Sequence, residues 1–438
     1  MTYDVIIVGT RVAGAPTAML LARAGLRVLA VDRARFPSDT MSTHQIQVPG
    51  VSRLHRWGLL GRVIAAGTPA TPHVRLDVGG VAVEGSFPAV GAVSSLFSPR
   101  RTLLDGILVD AAKEAGAEVR EGFQVDELVW EHGRVVGVRG RSRRGAAVVE
   151  RAQLIVGADG KNSLVARDVA ARTLRQQPPT TLAAYTYWSG VPLDAGEVYH
   201  RPGRAVAAFP TNDGLTMVYV AAPAADLPRF RADMEGEYLR SLDRCSDLGD
   251  RVRAGERAER IRATPALPNA VRVPFGPGWA LVGDAGLVLD PVSAQGISQA
   301  FRDADLLAAA VVTTRDLGRP LDAGLATYQR ARDAAALPMY DLTLELAKLE
   351  PSVRTQLLLD WLAGRPDEIT RFLGVFAGVQ TPARYSSLRN MLRVLGPRGL
   401  VRFMAGRQPR RSTQDGLYGP LERTSDVADR HVPTTIDQ

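Results

Sequence analysis

From Tyr3 to Asp32 the chain reads YDVIIVGTRVAGAPTAMLLARAGLRVLAVD, and this stretch decides the fold. Tyr3 to Val8 is a nearly unbroken apolar run, the pattern of a parallel strand buried on both faces. Gly9 to Ala13 makes a short turn, Gly14 to Ala24 is rich in alanine and leucine, and Gly25 stands where a helix is commonly stopped. Arg27 to Val31 predicts a second strand, closed by Asp32. The whole is a βαβ unit. Its turn, Gly9-Thr10-Arg11-Val12-Ala13-Gly14, follows a strand and opens a helix, where a dinucleotide fingerprint belongs. Gly9 permits the tight turn and Gly14 the close packing of helix on strand. Amides from Ala13 onward can hold a pyrophosphate, helped by the ~+0.5 charge of a helix N-terminus. Asp32, followed by Arg33, comes eighteen residues after Gly14, near the ~20 expected of a carboxylate that binds ribose hydroxyls. One position departs from the pattern. Where a second glycine would let the backbone approach the pyrophosphate, Arg11 stands, and its guanidinium offers a charge partner for phosphate instead.

Beyond Asp32 the chain becomes loop-like through Phe36-Pro37-Ser38-Asp39, and a helix is expected over Leu54 to Ala65. Val74 to Phe87 alternates around Gly79-Gly80, as a hairpin does. Leu103 to Ala115 predicts a helix and Ala117 to Glu121 a strand, with further strands at Gln124–Glu131, Arg134–Arg141 and Leu154–Val156. Residues 173–274 change in texture, with strand-like segments at 181–192, 204–210 and 215–221 and a helical stretch near 225–243. The α/β pattern then returns with a strand at Trp279–Val282, a Gly/Pro/Ser-rich loop over 283–296 and a long apolar helix from Ile297 to Val312. Residues 322–405 read as mainly helical. The fold class is therefore α/β: a Rossmann-like domain with an inserted antiparallel β-sheet domain and a C-terminal helical region. The expected division is 1–75, 98–172 and 275–340 for the nucleotide-binding domain, and 76–97 with 173–274 for the substrate domain. A helical cap follows over 341–410, and 411–438 is expected to be a flexible tail.

Composition narrows the function. With 438 residues, 45% of them hydrophobic and 23% charged, the chain is an ordinary globular protein of two or three units. No window approaches the ~18 unbroken apolar residues of a membrane span. The start lacks the charged and apolar regions of a signal peptide, so a cytoplasmic location is expected. Cys245 is the single cysteine, which excludes an intramolecular disulfide and a cysteine-based metal site. The six histidines have no metal spacing either. The net charge of +8 comes from 54 basic side chains, all but three of them arginine, dispersed without an aromatic-interleaved stripe. That argues against a nucleic-acid partner.

Two later segments sharpen the reading. Gly157-Ala158-Asp159-Gly160-Lys161-Asn162-Ser163 and Gly283-Asp284-Ala285, the latter followed by Pro291 and Ala294-Gln295-Gly296, stand in order after the fingerprint. Together the three segments resemble the single-component FAD-dependent monooxygenases of group A, the aromatic hydroxylases related to p-hydroxybenzoate hydroxylase. Geranylgeranyl reductases and flavin halogenases share the same FAD module. The resemblance covers about residues 1–330.

It implies non-covalent FAD, with NAD(P)H as a transient reductant. Gly9 and Gly14 would border the pyrophosphate, Asp32 would bind the adenosine ribose, and Val125 would approach adenine through its backbone. Arg101, in Pro99-Arg100-Arg101, matches the family's arginine on the flavin chain. Asp159 matches its second fingerprint, and Asp284 the carboxylate on a ribityl hydroxyl. Amides near Gly296 and Ile297 would face the charge that builds on the reduced ring, and Pro291 would lie near the face where oxygen reacts. Leu287 replaces a common histidine, Ala294 a usual glycine, and Ala166 the arginine closing the second signature, with Arg167 beside it. These mark a divergent branch.

With a single fingerprint and no second βαβ unit, the resemblance implies that the flavin is reduced by transient nicotinamide binding without a dedicated domain, and then forms with O2 a C4a-hydroperoxide that oxygenates an electron-rich carbon. That demands positioning and exclusion of water rather than a catalytic triad. The expected activity is hydroxylation or epoxidation of a mostly apolar, aromatic or polyketide-like small molecule, with O2 as co-substrate. Tyr185 and Tyr187 share one strand face, with Trp188 on the other. Phe209, Met217 and Tyr219 lie on following strands. All are candidates for the substrate pocket, although aromatic and methionine residues also fill ordinary cores. Thr43 and His44 follow the loop after Asp32, and His44 is a candidate acid/base group. Other readings stay open: an FAD-dependent reductase of the geranylgeranyl reductase type, a flavin halogenase, or a flavin-binding scaffold without turnover. The expected assembly is a monomer or homodimer.

Overall fold

The computed structural model describes residues 3–142, 145–265 and 268–405. The tail expected over 411–438 lies outside the described residues, as do the last residues of the expected cap. A mainly parallel sheet carries the N-terminal unit, in the spatial order Phe275–Gly276, Trp279–Leu281, Val148–Gly157, Tyr3–Val8, Val28–Asp32, Glu118–Glu121. The first strand is central, with Ile7 beside Val156 on one side and Ala30 on the other. Val5 and Ile7 enter one core while Ile6 and Val8 enter the opposite one. This is why the sequence there is apolar without alternation. The helices Gly14–Arg23, Arg101–Glu114 and Gly296–Asp316 bring buried residues to the core that Val5 and Ile7 enter, and the hairpin Phe123–Glu131 with Arg134–Ser142 supplies much of the other.

A second large sheet runs Glu256–Arg257, Thr181–Ser189, Thr216–Pro223, Arg204–Pro210, Gly196–Arg201, His73–Val78, Val81–Ser86. The hairpin read at 74–87 supplies its last two strands, and the division placed after residue 75 falls inside His73–Val78. One face of this sheet, through Leu182, Ala184, Trp188, Val218 and Val220, packs on the helices between Leu227 and Ala254. The other face carries Tyr185, Tyr187, Phe209, Met217 and Tyr219 and meets the core of the nucleotide-binding unit.

Two helical expectations need correction. The helix over 54–65 is two, Val48–Arg56 and Leu60–Ala65, because Gly58 takes φ +78° between them. The stretch near 225–243 is likewise divided into Leu227–Ala232 and Met234–Leu242, with Asp233 outside helical geometry and its carboxylate capping the second. The C-terminal region forms Leu321–Leu346, Val353–Leu362, Pro366–Phe376 and Leu388–Ala405, the last kinked at Gly396 before Pro397. Val353–Leu362 and Pro366–Phe376 lie over the edge strand Val81–Ser86, where Ile369 and Leu373 approach Gly85 closely.

Candidate functional site

The fingerprint turn is glycine where it must be. Gly9 holds φ +96°, and a Cβ there would sit 2.5 Å from the Ala158 carbonyl oxygen. At Gly14 a Cβ would fall 1.7 Å from the Gly9 carbonyl oxygen. The helix Gly14–Arg23 has no side-chain cap at Ala13 and no acidic residue in its first turn; the Ala15 N–H bonds the Arg11 carbonyl, and the N–H groups of Ala13 and Gly14 are left for an anion. Asp32 is buried at the end of its strand and accepts from the Thr10 and Ala34 N–H groups, each at 2.8 Å. Arg33 is exposed beside it. Val125 lies in the core behind this turn, with Val8 and Val31.

Two expected groups are engaged elsewhere. The Arg11 guanidinium turns to Asp105, at 2.7 Å, and to the Ser38 carbonyl, at 3.1 Å, rather than out to the helix end. Asp159 accepts from the Ser163 hydroxyl and from the Leu164 N–H at 2.7 Å, which makes it the brace of the turn before the helix Leu164–Asp168. Burial raises its carboxyl above the ordinary range against the pull of those bonds. Arg101 is buried and grips Asp105 through two bonds of 3.0 Å. Asp105 was missed by sequence reading, although its i, i+4 spacing from Arg101 was a usable signal.

Asp284 combines two properties that seldom go together. Its side chain is exposed, and the protein around it raises its carboxyl above the ordinary range, against the pull of Arg101, Lys161 and Arg272. Beyond it, Asp290 caps the turn Pro291–Ser293 by accepting from the Val292 N–H at 2.9 Å. Ala294 then adopts the left-handed conformation, φ +50°, at the place of the family's usual glycine. The helix Gly296–Asp316, with Ile297 as its second residue, also starts without a side-chain cap or an acidic first turn, and a Cβ on Gly296 would meet nothing within 4 Å.

Pro291 to Ala294 form one wall of a cavity of about 540 Å³. Its floor is the inner face of the large sheet, where the register sets Met217 beside Phe209 and Tyr219 beside Ala207, and Phe209, Met217 and Tyr219 all line it. Its roof comes from the C-terminal helices through Met339, Leu342, Leu373 and Phe376. Sequence reading missed that roof, and also Leu76 and Val198. Leu76 was accessible from the alternation of its hairpin, and Leu373 and Phe376 from the stripe they make with Ile369 and Phe372; nothing marked which face of Leu321–Leu346 would turn inward.

Tyr185 and Tyr187 occupy the neighbouring strand on the same face, directly opposite Tyr219 and Met217, but they do not line the cavity. They enclose His44 instead. Its ring stacks on Tyr187 at 5.6 Å, meets Tyr185 edge-on at 5.8 Å, and shares a hydrogen bond between Nε2 and the Tyr187 hydroxyl. His44 is fully buried, and Nδ1 has no partner among the described residues. Lost hydration, followed by repulsion from Arg101, Arg100 and Arg262, pulls its pKa down to about 3. It is therefore a neutral imidazole at any physiological pH. Behind Asp284, a surface pocket of about 510 Å³ is lined by Lys161, Asn162, Ser163, Arg167 and Arg272 with no acidic residue.

The residues fit FAD. Two uncapped helix starts, two positions where only glycine leaves room, a fixed carboxylate at Asp32 and an open but crowded one at Asp284 lie in order along one side of the parallel sheet. Among the described residues no helix is long and apolar enough to cross a membrane, and no cluster of His, Cys, Asp or Glu is placed to hold a metal ion.

Comparison with known proteins agrees. A family model described as an FAD binding domain matches residues 2–343. The chain is 29% identical over 314 residues to digeranylgeranylglycerophospholipid reductase of Methanocella arvoryzae, covering 68% of this chain and 74% of that protein. Its fold is shared with the flavin-dependent brominase Bmp2, at TM-score 0.75 and 20% identity, over 89% of this chain and 97% of the brominase. It is shared too with PqsL of Pseudomonas aeruginosa, described as a probable FAD-dependent monooxygenase, at TM-score 0.67 and 21% identity, over 85% and 99% of the two chains.

Proposed function

The chain belongs to the FAD binding domain family and is an FAD-dependent oxidoreductase, and we propose that it acts as a monooxygenase on an electron-rich, mostly apolar small molecule. NAD(P)H and O2 are its co-substrates in this reading. One observation carries it: the apolar cavity of about 540 Å³ abuts the Pro291–Ala294 turn, immediately ahead of the uncapped helix start at Gly296. A cavity of that size takes up a drug-sized molecule, with Glu345, Lys348 and Glu350 forming a charged part of an otherwise mainly apolar lining.

Bound FAD supplies two-electron reduction by the nicotinamide nucleotide and activation of oxygen. The chain's own part is to bind, orient and exclude. The Gly14 helix start holds the pyrophosphate, Asp32 the ribose hydroxyls, and Arg101 and Asp284 the chain between nucleotide and ring. Amides at Gly296 and Ile297 stabilise negative charge on the reduced ring. Phe209, Met217 and Tyr219 press the substrate toward Pro291. The basic pocket of Lys161, Arg167 and Arg272 receives phosphates of the nicotinamide nucleotide, so replacing Arg167, which is exposed at that pocket, by alanine should raise its KM several-fold and leave FAD content unchanged.

The test is anaerobic mixing of the yellow holoprotein with NADPH or NADH, followed by ¹⁸O2 and mass spectrometry, across a panel of naphthols, anthrones and other apolar aromatics. Bleaching of the flavin followed by a product carrying one ¹⁸O atom supports the monooxygenase. The phospholipid reductase relative favours a second reading, an FAD-dependent reductase of the geranylgeranyl reductase type. For that, the product gains two hydrogens and no oxygen.

A further inference from the structure

Arg11, at the second fingerprint position, is built into a closed ring of charged groups. Its terminal nitrogens reach Asp105 at 2.7 Å, the Ser38 carbonyl at 3.1 Å and the Ser38 hydroxyl at 2.9 Å, and its guanidinium lies 5.5 Å from the Phe36 ring centre. Asp105 is fully buried and is held from its other side by Arg101. The next loop residue, Asp39, pairs at 2.6 Å with Arg262 on the strand Arg262–Thr264 of the large sheet. Arg262 in turn reaches Glu259 at 3.4 Å. Glu259 is bonded by Arg100, the neighbour of Arg101 in the chain, and the Arg100 guanidinium lies 4.4 Å from the Tyr187 ring centre. The ring of contacts thus runs from fingerprint to loop to substrate sheet and back.

Both terminal nitrogens of Arg11 are committed to protein acceptors, and those acceptors lie on the 36–39 loop and on the helix Arg101–Glu114. The loop leaves the strand end at Asp32, meets the fingerprint where Phe36, Ser38 and Asp39 contact Arg11, then continues through Thr43, which lines the cavity, to His44. We propose that Arg11 is a positioning residue rather than a phosphate ligand: with Asp105 it staples the 36–39 loop across the nucleotide groove, so that release of the bound dinucleotide requires the loop to lift. The staple replaces the close backbone approach that glycine would have given by a lid, and it links that lid mechanically to the substrate sheet. The release part rests on FAD occupying the groove; the staple itself does not.

The experiment uses FAD-loaded full-length protein: wild type, Arg11→Gly, Arg11→Lys, Asp105→Asn, the Arg11→Gly/Asp105→Asn double variant, and Arg262→Ala. Two rates are read, the recovery of flavin fluorescence on dilution and trypsin cleavage after Arg35, located by mass spectrometry. Loss of a charge-assisted, largely buried bond should speed FAD release about tenfold in Arg11→Gly and in Asp105→Asn. Cleavage after Arg35 should rise in parallel. Because Arg11 and Asp105 share one contact, while Arg11 also holds Ser38 and Asp105 also holds Arg101, the double variant should fall short of the product of the two single effects, and equal multiplication would separate the two residues. Lysine cannot reproduce the forked contacts and should fall between, and Arg262→Ala, which frees the loop's other tether, should raise cleavage as well. If Asp105→Asn is not recovered folded, the Arg11 and Arg262 variants decide. The proposal is overturned if Arg11→Gly weakens FAD binding in a strongly salt-dependent way while Arg35 stays protected, the behaviour of a direct phosphate contact. Wild-type protein that takes up no FAD refutes the cofactor reading instead, and the cleavage measurement still tests the staple.

Discussion

Replacing His44 by asparagine should remove a large part of the protein's acid sensitivity. Asparagine tolerates the left-handed backbone that His44 adopts, φ +61°, and cannot take up a proton. In the folded protein the imidazole stays neutral down to about 3, because it is buried among Tyr185, Tyr187 and three arginines. In the unfolded chain it protonates at about 6.5. Between those values the unfolded state binds the extra proton, so stability present at neutral pH is lost as pH falls. At about 1.36 kcal/mol per pH unit the full loss approaches roughly 5 kcal/mol, of which about 2 kcal/mol falls between pH 7.5 and 5. Urea unfolding at these two pH values, followed by tryptophan fluorescence, reads the loss. Every other titrating group is common to both proteins and cancels in the difference. Wild type should lose about 2 kcal/mol more than the variant over that interval. Equal losses would refute the claim that His44 is a buried neutral ring.

Other perturbations follow from the same geometry. Asp284 has its folded carboxyl at about 6, above the 3.8 of the free group, so its contribution is lost as pH rises through that window. Asp284→Asn should flatten the fall in apoprotein stability between those values, which thermal unfolding across pH will show. Phe209, only 2% exposed, forms part of the cavity floor. Phe209→Ala should cost about 3–5 kcal/mol in urea unfolding while enlarging the space for substrate. Ala294→Gly relieves a left-handed alanine but adds freedom to the unfolded chain, so thermal unfolding should show a gain of at most about 1 kcal/mol. A clear loss would mean that the Ala294 methyl packs against something essential.

The parts of this fold that were legible in the sequence are local ones. The first βαβ unit declares itself because apolar run, glycine turn and alanine-rich helix follow within thirty residues, each with its own period. The same holds for Tyr185 and Tyr187 sharing a face, which strand alternation dictates and the register confirms. What stayed hidden depends on distant partners. Arg11 reads as a phosphate partner until Asp105, 94 positions away, is seen to hold it. The bonds that tie Asp159 to Ser163 and to the Leu164 N–H at a helix start leave no mark in the sequence pattern. The helix expected over Leu54–Ala65 fails at Gly58, a residue whose left-handed turn costs nothing and leaves no periodic trace. The cavity roof is legible only in part: Ile369, Phe372, Leu373 and Phe376 make one apolar stripe on Pro366–Phe376, whereas packing alone decides which face of Leu321–Leu346 turns toward the sheet.

A crystal structure of the protein grown with FAD tests the central claim most directly. The account predicts the pyrophosphate at the Gly9–Gly14 turn, Asp284 facing the chain between nucleotide and ring, and the isoalloxazine between Gly296 and the cavity wall at Pro291. FAD bound with its ring away from that cavity, or with its pyrophosphate at another helix start, would contradict it.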